Sequence, residues 1–332
     1  MSLGEYVHLR LLGTTAAGTS TAAWTGLLDR RTGRWDAGML RAAGIGAGQL
    51  SEVRDPGRPL TEVDPEVARR WPALAGAGWF PAISDGFASN LGAGAADETT
   101  AAVAAATSGA IRVLVQGSPE HVPPGLWCYR VDAHRSLLGG ALSDVGRVVS
   151  WLQATVQLGE QDPDQLLAAP PGPGAPLVLP YLSGERSTGW AASARAVISG
   201  VSTATSGAEL FRGAMEGVAL SYARIAGQLR SAAGGPRRIV ASGRVTQDLP
   251  SWLQVLADVL DAPVEPVTTK RTTLRGTALH ALEVLAPDTA RAPVETAPTL
   301  HPVAAHHEHY RARAEQYDQL YRAVIGADRT RG

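Results

Sequence analysis

Residues 84–113 read SDGFASNLGAGAADETTAAVAAATSGAIRV. Asp85 stands in a glycine-flanked turn, and a short helix-like run follows it. Thr107, Ser108 and Gly109 then form a turn between two apolar strand-like runs, AAVAAA and AIRVLV. This order suits phosphoryl transfer. Asp85 can accept the proton of a substrate hydroxyl, while the Thr-Ser-Gly turn offers hydroxyls and backbone N–H groups to a phosphate. Each part also has a plainer reading: an Asp before glycine is a common helix N-cap, and Thr-Ser-Gly is a common hairpin turn. The order of the two, with a later glycine turn at Gly243, is what favours chemistry.

Working outward, residues 77–84 are apolar and bounded by glycine and Asp-Gly, which predicts a buried strand. Residues 86–94 and 97–103 predict helical turns, and residues 110–116 a strand. Towards the N-terminus, residues 4–13 have helical apolar spacing ending at Gly13, Thr32-Gly33 predicts a hairpin turn, and residues 36–50 and 64–71 predict short helices. Towards the C-terminus, strand-like runs at 126–131, 137–142 and 177–181 alternate with helical patterns at 144–158, 206–231 and 250–260. Ser206 with Glu209 forms a capping-box signature. PGPG at 171–174 reads as a loop. The run PRRIVAS is a strand delivering a turn at Gly243, where backbone can approach a nucleotide, ahead of a helix beginning near Pro250. Gly146 opens a helix ending at Trp151. Alternating strands and helices predict an α/β architecture.

Composition sets the bounds. With 332 residues, 45% of them hydrophobic, the chain can bury a large core and most naturally forms two domains. The formal net charge is -1 with no long basic run, which makes nucleic acid and anionic membranes poor partners. The single cysteine, Cys128, cannot form an internal disulfide, so a reducing cytoplasm fits; it reads as a small core residue and not a nucleophile. No run has the apolar length of a membrane span. The histidines His301, His306, His307 and His309 match no standard ligand spacing and read as a solvated surface, so no metal residues are assigned.

Several segments are similar to the FGGY family of carbohydrate kinases. Beyond Asp85 and Thr107, these are GLWCYRVD, GGALSDVG, PYLSGERSTGW, ARAVISGVSTATSGAELFRGAMEG and WLQVLADVL with the following RGTALHAL. GLWCYRVD, GGALSDVG and GERSTGW look most like the gluconate-kinase branch, with xylulose kinases next. The resemblance implies an actin-like, ribonuclease H-like ATPase fold in which ATP and sugar share a cleft between domains. It implies Asp85 as general base, Asp85 and Gly86 at the sugar, and Mg²⁺ on the phosphates. Thr107, Ser108 and Gly109 would hold phosphate, while Gly146, Gly243 and Arg244 would border the nucleotide.

The sequence also departs from the family pattern. The opening Asp-x-Gly-Thr phosphate hairpin has no counterpart, and residues 1–30 resemble a segment late in the family's first domain. The expected organisation is therefore a C-terminal remnant of the first domain over residues 1–90 and a nearly complete C-terminal actin-like domain over 91–325. Ser242-Gly243-Arg244 replaces the usual paired glycines, Gly213 stands for a larger alanine or serine, and Arg271 lies where an acidic residue is frequent. The first reading is thus a gluconate kinase-like sugar or sugar-acid kinase, working alone, as a homo-oligomer, or with a complementing N-terminal chain. The alternative is a non-catalytic remnant or regulatory binding module of the same fold. An actin-like ATPase of the chaperone type ranks third, because nothing resembles a peptide-binding domain.

Overall fold

The computed structural model describes residues 1–326. The chain opens with α1 (Leu3–Leu12), capped by Ser2 and Glu5 and stopped by left-handed Gly13. Short elements follow: β1 (Ala17–Gly18), α2 (Thr19–Trp24), a hairpin of β2 (Leu28–Asp29) and β3 (Arg34–Trp35), α3 (Ala37–Ala43), β4 (Val53–Arg54) and α4 (Pro65–Arg70). Residues 77–84 do not form the expected strand. Their one ladder contact is an isolated bridge between Leu60 and Trp79, and an extended run without a partner strand remains a loop.

The body of the molecule is then built in order. It comprises α5 (Asp85–Gly92), β5 (Thr100–Ala105), β6 (Gly109–Gln116), β7 (Trp127–Arg130), β8 (Arg135–Leu142), α6 (Gly146–Thr155), α7 (Pro163–Ala168), β9 (Leu177–Leu179) and β10 (Val197–Ser199). Next come α8 (Gly207–Ala233), β11 (Arg238–Ser242), α9 (Arg244–Asp248), α10 (Trp252–Leu260), β12 (Val264–Pro266), α11 (Thr272–Leu285) and α12 (His307–Tyr321). Residues 97–103 are therefore largely strand and not helical turns. Alanine favours helix locally, but pairing of Thr100–Ala105 with both β6 and β11 overrides that preference. The helix from Gly146 runs past Trp151 to Thr155; the helix expected near Pro250 is α10, and the short α9 at Arg244 is an addition ahead of it.

The main sheet has the order β12-β11-β5-β6-β8-β7. β12, β11 and β5 run parallel, while β6, β8 and β7 pair antiparallel. One face carries Val103, Ile111, Val113 and Leu138, on which α8 and α10 lay Phe211, Val218, Tyr222, Trp252 and Leu256. Removing a large side chain from such a core costs about 3–5 kcal/mol. α8 earns its length from a full capping box at Ser206 and Glu209 and a buried stripe from Phe211 to Leu229. Behind it, the buried Glu216 carboxylate accepts from Arg212 at 2.9 Å, and from Tyr310 and Arg313 at 3.3 Å each. Tyr317, fully enclosed by α12 and α8, has its hydroxyl pushed up to about 12 by burial.

The other face of the sheet meets α5 and α11, and these two helices touch backbone to backbone. A Cβ at Gly276 would lie 1.7 Å from the Ala88 carbonyl oxygen, and one at Gly92 would lie 1.7 Å from that of Thr272. The N-terminal segment is stitched to this body by Arg130, whose guanidinium donates to the Arg31 carbonyl at 2.7 Å, and by a 3.1 Å contact between His280 and the Pro56 carbonyl.

Candidate functional site

Two cavities open beside the β5–β6 turn and share Ala106 as a wall. The larger, of about 720 Å³, is lined by Asp85, Gly86, Ser108, Gly109 and Gly243 among others. The smaller, of about 470 Å³, is lined by Thr107, Gly146 and Arg244. The fold thus brings all eight residues singled out in the sequence to two adjoining cavities.

Asp85 is the first helical residue of α5 and not its cap. Ser84 takes the capping role, its hydroxyl accepting from the Phe87 N–H at 3.4 Å. Ser84 is itself fixed, since its N–H donates to the Ser20 hydroxyl at 2.9 Å. The Asp85 carboxylate is left exposed at the cavity wall, without a hydrogen bond or ion pair to any described residue. A carboxylate held at a helix start but not used by it is free to accept a proton from a bound hydroxyl.

The Thr107-Ser108 turn is exposed at its tip. Its base is clamped to the start of α6: Gly146 donates its N–H to the Ala106 carbonyl at 2.7 Å, and Val145 donates to that of Thr107 at 3.2 Å. Gly109 is buried beneath the Tyr222 hydroxyl, which donates to the Ala104 carbonyl at 2.7 Å. The hydroxyls of Thr107 and Ser108 make no hydrogen bond to a described residue and are available to a phosphate.

Gly243 has φ +122, and a Cβ there would lie 2.3 Å from the Ala105 carbonyl oxygen. The close backbone approach expected of this turn is thus made to β5. The following Arg244 reaches along α9 to Asp248, Nε to carboxylate 2.9 Å, with both side chains largely in solvent. An exposed pair of this kind holds by well under about 1 kcal/mol, so an incoming anion can take the guanidinium over.

Sequence reasoning passed over other groups on the same cleft. Trp24 is 57% exposed there and meets Tyr129 edge-on at 5.9 Å, while Tyr129 stacks on Trp127 at 5.0 Å. Burial pushes the Tyr129 hydroxyl up, so it stays a neutral donor. Arg112 and Arg186 line the larger cavity and Arg147 the smaller. Period-two alternation from Ser108 through Ala110 would have flagged Arg112. Cys128 is half-buried, and burial pushes its thiol up, which fits an inert side chain. Of the histidines, His306 contacts the buried Asp258 at 2.8 Å. Among the described residues no group of three or more His, Cys, Asp or Glu is arranged to hold a metal, and no helix is long and apolar enough to cross a membrane.

Comparison with known proteins places this geometry. A gluconate kinase structure from Lactobacillus acidophilus superposes with a TM-score of 0.89 at 24% identity, covering 97% of this chain and 67% of that one. The fold is accordingly the actin-like ATPase fold. The model of the FGGY family of carbohydrate kinases, C-terminal domain, matches residues 101–283, and the chain belongs to that family. A gluconokinase of Bacillus subtilis (strain 168) is 27% identical over 282 residues, covering 80% of this chain and 54% of the relative. A xylulose kinase of Escherichia coli (strain K12) is 26% identical over 339 residues, covering 97% of this chain and 68% of the relative. The chain spans about half the length of the gluconokinase it matches.

Proposed function

We propose that the chain carries the acceptor and nucleotide sites of an ATP-dependent kinase for a hydroxyl of a sugar or sugar acid, with a gluconate-like acceptor favoured. The observation that carries this reading is the uncommitted Asp85 carboxylate, on the same cleft as the exposed Thr107-Ser108 turn. Asp85 takes the proton of the attacking hydroxyl, with Gly86 leaving room beside it. Thr107 and Ser108 donate hydroxyls to the transferring phosphate, while Gly109 lets the turn seat against the body. Gly146, Gly243 and Arg244 border the nucleotide, and Arg147 adds a second cation at that end. The cations and hydroxyls on this side fit a polyphosphate. Mg²⁺, when bound, supplies neutralisation of the charge developing on those phosphates. Carriage by the phosphates with few protein ligands suits Mg²⁺.

We further propose the division into residues 1–90 and 91–325, with α5 packed so as to serve both, and a cytoplasmic setting, where ATP is at hand. The test is ATP-dependent phosphorylation of gluconate, xylulose, ribulose and glycerol, by the chain alone and with the N-terminal half of a gluconokinase supplied as a second polypeptide. Turnover that vanishes in Asp85→Asn is expected. Turnover that persists in that variant sinks the role of Asp85.

A second reading, a non-catalytic binding module of the same fold, draws on the Arg244–Asp248 pair along α9, which engages the arginine at the wall of the nucleotide-side cavity. A folded chain that binds ADP and sugar but never turns over, even with the second polypeptide present, is its signature.

A further inference from the structure

Between Asp85 and the aromatic residues of the larger cavity stands a cation that the phosphoryl-transfer reading does not use. The register of the sheet sets its position. Arg112 of β6 lies opposite Ala102 on β5 and Gly139 on β8, and Trp127 of β7 lies opposite the same Gly139. Gly139 therefore leaves a trough between the arginine and the indole: a Cβ there would lie 3.1 Å from both Arg112 Cγ and the Trp127 ring. Ala104, Ala110 and Ala141 keep the rest of that floor low.

Gly86, next to Asp85, does the same from above. A Cβ at Gly86 would lie 2.8 Å from the Tyr129 hydroxyl, 3.5 Å from Arg112 Nε and 3.7 Å from its Cζ. The guanidinium is thus held beside the residue that follows Asp85, half-buried, with no hydrogen bond or ion pair to any described residue. Several other part-buried arginines are engaged: Arg135 with Asp132 at 2.6 Å, Arg212 with Glu216 at 2.9 Å, Arg238 with Glu265 at 2.6 Å. A charge withdrawn from water without a partner is costly, and a bound anion removes that cost.

The polyphosphate has its own cations, Arg147 and Arg244, which line the other cavity with Thr107 and Gly146, and of the residues assigned to that side only Ser108, Gly109 and Gly243 border the larger one. Arg112 stands on the acceptor side, beside the Trp24, Trp127 and Tyr129 rings that offer apolar faces to a polyol's C–H groups. A planar guanidinium there matches a carboxylate in two-point fashion.

We propose that Arg112 is the carboxylate anchor of the acceptor pocket, with Tyr129 as a neutral donor beside it, and that it makes this cleft selective for a sugar acid over an uncharged sugar. The proposal rests on the reading of this cavity as the acceptor site.

Direct binding tests it without requiring turnover. Calorimetric titration with gluconate, with sorbitol as its uncharged counterpart of equal length, and with ADP is carried out on the wild type, Arg112→Gln and Arg112→Lys. Gluconate is expected to bind more tightly than sorbitol. That preference is expected to fall by about 10- to 100-fold in Arg112→Gln and by less in Arg112→Lys, while ADP affinity holds. An unchanged melting temperature in the variants excludes loss of fold as the cause. Equal binding of gluconate and sorbitol, no gluconate binding by the wild type, or parallel loss of ADP affinity overturns the proposal. Arg112-dependent gluconate binding without phosphorylation would leave the anchor standing and remove the kinase reading. Phosphorylation of uncharged sugars with no preference for the acid would do the reverse.

Discussion

The groups lining the Asp85 side of the cleft sit on packed elements, whereas those on the Thr107 side sit on turns and at exposed helix starts. On the first side, α5 lies against the main chain of α11, and Arg112 and Trp127 flank Gly139 across the sheet with Tyr129 two residues along β7. On the second, Thr107 and Ser108 are exposed, and Arg244 is tied only to Asp248 across one helical turn. On the proposed reading, the acceptor side is held to a fixed shape, which is what discrimination between similar sugars requires, and the nucleotide side offers adaptable donors to a flexible polyphosphate, which needs charge more than shape. The contrast predicts that substitutions on the first side alter selectivity or fold, and that those on the second alter affinity by small steps.

The largest effect belongs to Asp85→Asn, which removes the proposed base and keeps the size. Turnover should fall by about 10²- to 10⁴-fold with the melting temperature unmoved, since Ser84 and not Asp85 caps α5. A drop in melting temperature of the same variant would make Asp85 a structural residue. Gly276→Val comes next. Its side chain would press on the Ala88 carbonyl, and a loss of about 3 kcal/mol or more is expected in urea unfolding. A loss below about 1 kcal/mol would mean that α5 and α11 yield easily, and the contrast between the two sides would disappear.

Arg244→Ala tests the adaptable side. Stability should change by less than about 0.5 kcal/mol, and the KM for ATP should rise several-fold with that for the sugar unchanged. The smallest effect lies outside the cleft. Burial among α1 and Trp79 pushes His8 below its ordinary value, against the smaller pull of Glu5. The folded chain therefore takes up this proton later than the unfolded chain as pH falls. Stability from this source is complete above about pH 6.5 and declines on acidification through the lower folded value. His8→Gln should flatten that part of the stability profile and leave turnover alone.

What was legible in the sequence follows the range of the forces involved. The capping box at Ser206, the stop at Gly13 and the turn at Thr107-Ser108-Gly109 are local chemistry, and each stands in the structure where the residues indicate. Residues 97–103 misled because alanine's helical preference is weak beside pairing with strands far along the chain. Residues 77–84 misled for the opposite reason, having strand-like residues but no neighbouring ladder. The cleft residues Asp85, Thr107, Gly146 and Gly243 were visible through turn chemistry. Arg112 was legible only as a residue on the same face of β6 as Ser108 and Ala110, since β7, β8 and Gly86 decide that this face meets the cavity. Trp24 and Tyr129 escaped for the same reason, being brought together from distant segments.

The contact between Gly92 and Thr272, and its mirror between Gly276 and Ala88, also bears on how the chain can drift over generations. Crowding between two side chains can be relieved by trimming either partner, so such a lesion has second-site suppressors. Here the obstacle to any added carbon is a peptide carbonyl, which every amino acid carries alike. No exchange at Ala88 or Thr272 removes it. A screen for revertants of a substitution at either glycine should therefore return only the glycine codon itself, or changes that shift a whole helix.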